Sequence, residues 1–136
     1  MVQTILTPTD GSDNSYRAIE QAVHLGKPFD ATIHSVAVIK LGTHRDRIRY
    51  DPKNEADEAI EKARELVERE GLEFVGAVRE GLPYRQIQEY ADDHDVDMIV
   101  MGTHGRSGLD RYLLGSVAER TVRQSKVPVL LVPPQR

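Results

Sequence analysis

Three glycines and a serine in the last third of the chain have a spacing that suits phosphate binding. Gly102 and Gly105 are separated by two residues, and nine residues further on Gly115 is followed by Ser116. The segment follows an apolar run at residues 98–101 and precedes a helical pattern at residues 117–125. Glycine lets the backbone turn tightly and approach a ligand, while the free N–H groups of a helix start attract anions. We therefore predict a phosphate site in this loop.

Other side chains of the same loop could contribute to the site. Arg106 and Arg111 could neutralise phosphate charge because the planar guanidinium matches phosphate oxygens, although solvated loop arginines are the commoner case. His104 has no evident catalytic partner nearby in the sequence, so we predict that it is an exposed loop histidine. The glycines could also serve turns alone, since glycine ends many strands and serine caps many helices.

A second group of candidate residues follows the first apolar run of the chain. Pro8 and Thr9 lead into Asp10, whose carboxylate could accept hydrogen bonds from a ribose diol or from an adenine amino group. Aspartate is also a common turn former that caps the following helix. Both interpretations of Asp10 stay open at this point.

The elements that must position these residues alternate along the chain. Strands are predicted at residues 2–7, 31–39, 73–79, 97–101 and 127–132, and helices begin near Ser12, Ala56, Pro83 and Val117. Strict alternation predicts a doubly wound α/β fold, with one open parallel five-stranded sheet and helices on both faces. Ligands of such sheets bind beyond the carboxyl ends of the strands, where the strand order reverses. Residues 8–10, Val38 and the glycine loop are all expected at those ends.

Composition and charge limit the classes of function. The 136 residues predict a single domain, 1–136, and the absence of cysteine excludes disulfides and thiolate metal sites. A net charge of −4, two Phe and no Trp argue against a nucleic-acid partner. The five histidines lack metal-ligand spacing, so no metal centre is expected, and residues 92–95 are predicted to form a solvated turn.

The apolar runs and the N-terminus bear on location. The apolar runs are about strand length, far short of a membrane span, and no signal-peptide pattern is seen. We therefore expect a cytoplasmic protein without a membrane partner.

The glycine–serine spacing resembles the nucleotide-binding signature of the ATP-binding branch of the universal stress protein family. The likeness covers essentially the whole chain, most clearly at residues 5–12, 96–105, 108–118 and 127–132. It implies the strand order 3-2-1-4-5, with Pro8, Thr9, Asp10 and Val38 around adenine and ribose. It implies that a second set lies along the phosphates: Met101, Gly102, Gly105, Gly115, Ser116 and Val117.

The resemblance also implies a homodimer formed through the last strand. Residues 127–132 are apolar on both faces and would be a hazardous bare edge if they were left unpaired. The arginine-rich segment at residues 40–52 has no obvious family pattern, so its contacts are left open.

The resulting expectation is an ATP-binding stress-response regulator, or nucleotide switch, with slow or no hydrolysis. The phosphate cradle is complete, but no catalytic residue is visible beside it. ADP and AMP stay open as resident ligands, and magnesium would be held through the phosphates. The alternatives are a slow ATPase or nucleotidyl-transfer enzyme that uses Asp10 or His104, and a dimeric scaffold that binds no nucleotide.

Overall fold

The computed structural model describes residues 2–40, 51–105 and 114–135, and strands and helices alternate within them as predicted. The strands are β1 (Thr4–Leu6), β2 (Thr32–Ile39), β3 (Phe74–Glu80), β4 (Met98–Gly102) and β5 (Val129–Val132). The helices are α1 (Asp13–Gly26), α2 (Pro52–Glu68), α3 (Pro83–Asp93) and α4 (Ser116–Gln124), and a single 3₁₀ turn (Lys27–Phe29) follows α1. Each strand boundary lies within two residues of its prediction.

The five strands form one parallel sheet in the order β3-β2-β1-β4-β5. This confirms the predicted fold class and strand order. β1 is central, since Leu6 lies beside His34 of β2 on one side and beside Ile99 of β4 on the other. The chain therefore reverses its direction of travel across the sheet at β1, which is where ligands of such folds bind.

Two apolar cores cover the two faces of the sheet. Alternate residues of a strand point to opposite faces, so Ile5 packs against α1 and α2 while its neighbour Leu6 packs against α3 and α4. Ile33 and Val36 are divided between the same two cores. Because both faces are covered, only the edges and ends of the sheet remain for a site.

The helix starts differ in how their first N–H groups are satisfied. The hydroxyl of Ser12 accepts a hydrogen bond from the N–H of Ser15 and so caps α1. Asp51 caps α2 through the N–H of Asn54. The N-cap of α4 is Gly115, which has no side chain to accept from the first-turn N–H groups. α4 therefore begins at the end of the sheet with backbone donors that no cap side chain satisfies.

Candidate functional site

A cavity of about 410 Å³ lies at the carboxyl ends of β1, β2 and β4. Ten of the eleven residues predicted for the site line it: Pro8, Thr9, Asp10, Val38, Met101, Gly102, Gly105, Gly115, Ser116 and Val117. The eleventh, Arg106, lies outside the described residues, as do Arg111 and most of the arginine-rich segment. The fold thus brings together residues that are more than 100 positions apart in the sequence.

The cavity has an apolar part and a polar part. Residues from β2, α2 and α3, including Val36, Ala59 and Ile87, supply mainly hydrocarbon surface. The loops after β1 and β4 and the first turn of α4 supply hydroxyl, carboxylate and backbone groups. Such a cavity can hold a ligand that carries a flat apolar group at one end and a polar or anionic group at the other.

Asp10 shapes the turn after β1 and also lines the cavity. Its Oδ1 accepts a hydrogen bond from the N–H of Ser12 at 2.9 Å. The neighbouring Thr9 hydroxyl contacts the Ser15 hydroxyl at 2.8 Å and accepts from the N–H of Gly11. The turn interpretation of Asp10 therefore holds, but Ser12 and not Asp10 is the helix cap. The turn leaves the Asp10 carboxylate facing the glycine loop.

Each of the three glycines of the predicted loop lies close to another protein group. A β-carbon on Gly102 would lie 2.6 Å from Oδ1 of Asn14, and one on Gly105 would lie 2.7 Å from Oδ2 of Asp10. A β-carbon on Gly115 would lie 2.9 Å from the carbonyl oxygen of Thr103. None of the three has a positive φ. Close approach, and not left-handed backbone, is therefore what distinguishes these three positions.

Asn14, in the first turn of α1, connects the glycine loop to β5. Its Oδ1 accepts from the N–H of His104 at 2.9 Å, and its Nδ2 donates to the carbonyl oxygen of Val132 at 2.9 Å. The N–H of Thr103 donates to the same Val132 carbonyl at 3.1 Å. Sequence reasoning missed Asn14, because an asparagine in a first helical turn has the pattern of an ordinary helix start.

His104 is buried, so the prediction of an exposed loop histidine is wrong. Only 9% of the residue is exposed. Its backbone is held by Asn14, and its ring Nδ1 lies 2.7 Å from the hydroxyl of Thr103. These two contacts hold His104, which is one of the residues that line the cavity.

A separate aromatic cluster connects β2 and α3. His34 Nδ1 lies 2.6 Å from the Tyr90 hydroxyl, and the Tyr90 ring stacks on His94 with 3.9 Å between centroids. Burial lowers the pKa of His34, and the nearby His94 lowers it further. Burial also raises the pKa of the Tyr90 hydroxyl, although Arg79 opposes this shift. His34 is therefore structural. The predicted solvated turn at residues 92–95 is confirmed, since all four residues are exposed and residues 94–95 form a turn, and it also contributes the His94 ring to this cluster.

Residues 2–40, 51–105 and 114–135 contain neither a candidate membrane span nor a metal cluster. None of the helices there is long and apolar enough to cross a bilayer. The same residues contain no group of three or more His, Asp or Glu that could hold a metal ion.

The fold and the cavity define a doubly wound α/β protein with a ligand-sized cavity at the reversal point of its sheet. The model of the universal stress protein family matches residues 1–133. The chain belongs to the universal stress protein family.

Known relatives resemble the chain over nearly its full length. Universal stress protein MJ0531 of Methanocaldococcus jannaschii is 36% identical over 140 residues, covering 97% of this chain and 82% of the relative. The solved structure of MJ0577, from the same organism, matches with a TM-score of 0.87 and 27% identity over 100% of this chain and 99% of that one. A universal stress protein solved in complex with cAMP matches with a TM-score of 0.78 and 26% identity, covering 98% of both chains.

Proposed function

We propose that this protein binds an adenine nucleotide, ATP first among them, in the cavity beside β1 and acts as a regulatory nucleotide switch in a stress response. The observation that carries the proposal is the convergence of ten residues, from three separate parts of the sequence, on one cavity with an apolar part and a polar part. A family member of similar structure has been solved with cAMP, which contains the same base, ribose and phosphate chemistry.

The two parts of the cavity fit the two ends of a nucleotide. The adenine would lie against Pro8 and Val38, with the ribose hydroxyls towards Asp10. The phosphates would lie at the start of α4, where Ser116 and uncapped backbone N–H groups favour anions. Among the described residues that line the cavity, only Lys40 has a permanently positive side chain. Magnesium would accompany the nucleotide through its phosphate oxygens.

We infer slow or no hydrolysis, because a general base must reach the attacking water in a plausible ligand pose. Oδ1 of Asp10 already accepts from the N–H of Ser12, and Nδ1 of His104 lies beside the Thr103 hydroxyl. A slow ATPase or nucleotidyl-transfer enzyme is the second candidate, because the cavity is lined by the buried His104. Phosphate release well above that of a Ser116→Ala, Gly105→Ala control would favour the enzyme.

Titration calorimetry with ATP and magnesium tests the binding proposal. Ligand at 100 times its Kd stabilises a native state by about 2.7 kcal/mol, so thermal unfolding should shift upward measurably. No heat of binding and no thermal shift at millimolar ATP would refute the proposal and favour a scaffold without nucleotide. Mass spectrometry of the small molecules that co-purify with the protein would identify ATP, ADP or AMP as the resident ligand.

We further propose a cytoplasmic homodimer that pairs through β5, without a nucleic-acid or membrane partner. β5 is an edge strand, and Leu130 at its centre is 39% exposed. An apolar edge strand of this kind is commonly covered by a second chain. The net charge of −4 supports the absence of a nucleic-acid partner.

A further inference from the structure

We propose that Asn14 is a positioning residue for the nucleotide: by holding the backbones of His104 and Val132 together, it keeps the loop after β4 in its ligand-binding geometry. This inference rests on the proposed function, because the loop that Asn14 holds is the one expected to meet the phosphates. Asn14 itself is not among the residues that line the cavity. It therefore acts through the backbone of its neighbours.

The oxygen and the nitrogen of the Asn14 amide each form a hydrogen bond, and the two partners lie in different segments of the chain. Oδ1 must accept, because its partner is the N–H of His104, and Nδ2 must donate, because its partner is the carbonyl oxygen of Val132. Alanine or a charged carboxylate at the same position cannot satisfy both partners, because neither supplies both an acceptor and a donor. The two bonds join α1 to residues that are 90 and 118 positions away in the chain.

The amide is enclosed, so its hydrogen bonds are not exchanged readily for water. Only 7% of Asn14 is exposed. Gly102 leaves room for the amide, since a β-carbon there would lie 2.6 Å from Oδ1 and 2.7 Å from the side-chain carbon that carries it. A buried donor or acceptor that loses its partner carries the full cost of its desolvation.

Loss of Asn14 should disturb the loop locally. Two other hydrogen bonds still anchor its first residue, since the N–H of Thr103 donates to Val132 and the N–H of Gly115 donates to Thr103. The N–H of His104 loses its side-chain acceptor, and His104 is followed directly by the cavity-lining Gly105. We therefore expect β4 to keep its place in the sheet while the backbone of residues 104–105 becomes less ordered.

The test compares Asn14→Asp with Asn54→Asp in the full-length chain. Asn54 also lies in the first turn of a helix, but its amide donates to Glu58 at the exposed surface, so it controls for the added charge. The new carboxylate at position 14 faces the Val132 carbonyl without a proton to donate. We expect ATP affinity to fall at least about tenfold in Asn14→Asp, as for an unsatisfied buried group, and to stay within about twofold of wild type in the control.

Amide hydrogen exchange without ligand separates positioning from a general loss of stability. The N–H of His104 should exchange at least about tenfold faster in Asn14→Ala, which removes its acceptor, while the N–H of Ile99 in β4, which donates to the carbonyl oxygen of Pro128, keeps its wild-type rate. Equal acceleration of both amides, or an unchanged ATP affinity, would overturn the proposal. If wild type itself fails to bind ATP, the proposed function falls, and the His104 amide alone still decides whether Asn14 positions the loop.

The pH dependence of ATP affinity supplies a rescue. A protonated carboxyl has nearly the shape of the amide, and its O–H can donate to Val132 while its carbonyl oxygen accepts from His104. The ratio of the ATP affinity of wild type to that of Asn14→Asp should therefore fall towards one as the pH is lowered towards the pKa of the new carboxyl. Asp10 and His104 line the cavity in both proteins, so any influence that they have on the pH dependence of ATP affinity cancels in the ratio. A ratio that does not change with pH would overturn the proposal.

Discussion

The side-chain amide of Asn14 occupies the space that a β-carbon on Gly102 would need. The Oδ1 atom of Asn14 lies 2.6 Å from that position, closer than any ordinary contact of a β-carbon. The same pattern holds between Gly105 and the Asp10 carboxylate at 2.7 Å. Gly102 is thus required by a buried and hydrogen-bonded protein group, whatever ligand it meets in addition.

A double-mutant cycle on Asn14 and Gly102 tests this pairing. Gly102→Ala should lower the free energy of unfolding by about 1–3 kcal/mol through overpacking. Asn14→Ala removes the obstructing amide, so the double variant should lose less than the sum of the single variants, with a coupling energy of about 0.5–3 kcal/mol. Urea unfolding of the four proteins measures the cycle. If the two changes in the free energy of unfolding simply add, the Asn14 amide is not the reason why position 102 must be glycine.

The sequence predicted elements well and side-chain partners poorly, for a physical reason. Apolar periodicity reports which face of an element is buried, so the division of Ile5 and Leu6 between two cores follows from alternation. Periodicity carries no information on which polar side chain meets which backbone group across the fold. The contact between Asn14 and His104 spans 90 residues and became visible only when both elements were in place.

Ten of the residues predicted for the site line one cavity because they lie at or just after the ends of neighbouring strands and helices. Pro8 follows β1, Val38 lies near the end of β2 and Gly102 ends β4. Parallel strands put their carboxyl ends at one edge, so a site at that edge follows from element order alone. The burial of His104 did not follow, because the N–H of His104 donates to Asn14, a contact across 90 residues that the sequence does not reveal.

Asp10→Asn distinguishes the two proposed roles of this carboxylate. The amide can keep an oxygen in the Oδ1 position to accept from Ser12, so the free energy of unfolding should change by no more than about 0.5 kcal/mol. If the carboxylate accepts from the ribose diol, ATP affinity should fall about tenfold, as for a lost hydrogen bond to a charged group. Calorimetry with 2′,3′-dideoxy-ATP is the control, because that nucleotide has no diol to lose. An equal loss with both nucleotides would favour the adenine amino group as the partner.

Ser116→Ala tests whether the start of α4 meets the phosphates. Ser116 is exposed at the cavity in the first position of α4, so its hydroxyl can be removed without opening the core. We expect ATP affinity to fall about three- to tenfold, the loss of one hydrogen bond, and adenosine affinity to stay unchanged. Gly115 is unsuitable for this test, since a β-carbon there would meet the Thr103 carbonyl at 2.9 Å and disturb the loop itself. An equal loss of adenosine affinity would show that the Ser116 hydroxyl does not act through the phosphates.

Leu130→Lys tests pairing through β5. A lysine at an exposed edge strand opposes strand addition by another chain. Sedimentation velocity should show a dimer for wild type and a monomer for Leu130→Lys. Val75→Lys is the matched control, since Val75 is 41% exposed on β3 at the opposite edge of the sheet. A dimer that persists in Leu130→Lys but not in Val75→Lys would contradict the proposal, because the subunits would then pair through β3.

His34 should make the free energy of unfolding depend on pH in the mildly acidic range. Its folded-state pKa is lowered from 6.5 by burial and by His94, so the unfolded chain binds more protons at this residue. Stability contributed by neutral His34 is therefore complete well above pH 6.5 and is lost as the pH falls through that value towards the folded-state pKa. Arg79, Tyr90, Asp93 and His94 surround the site and are unchanged in a His34→Gln variant. Chemical unfolding across this pH range should show a steeper loss for wild type than for His34→Gln. Parallel curves for the two proteins would show that His34 does not contribute to the dependence.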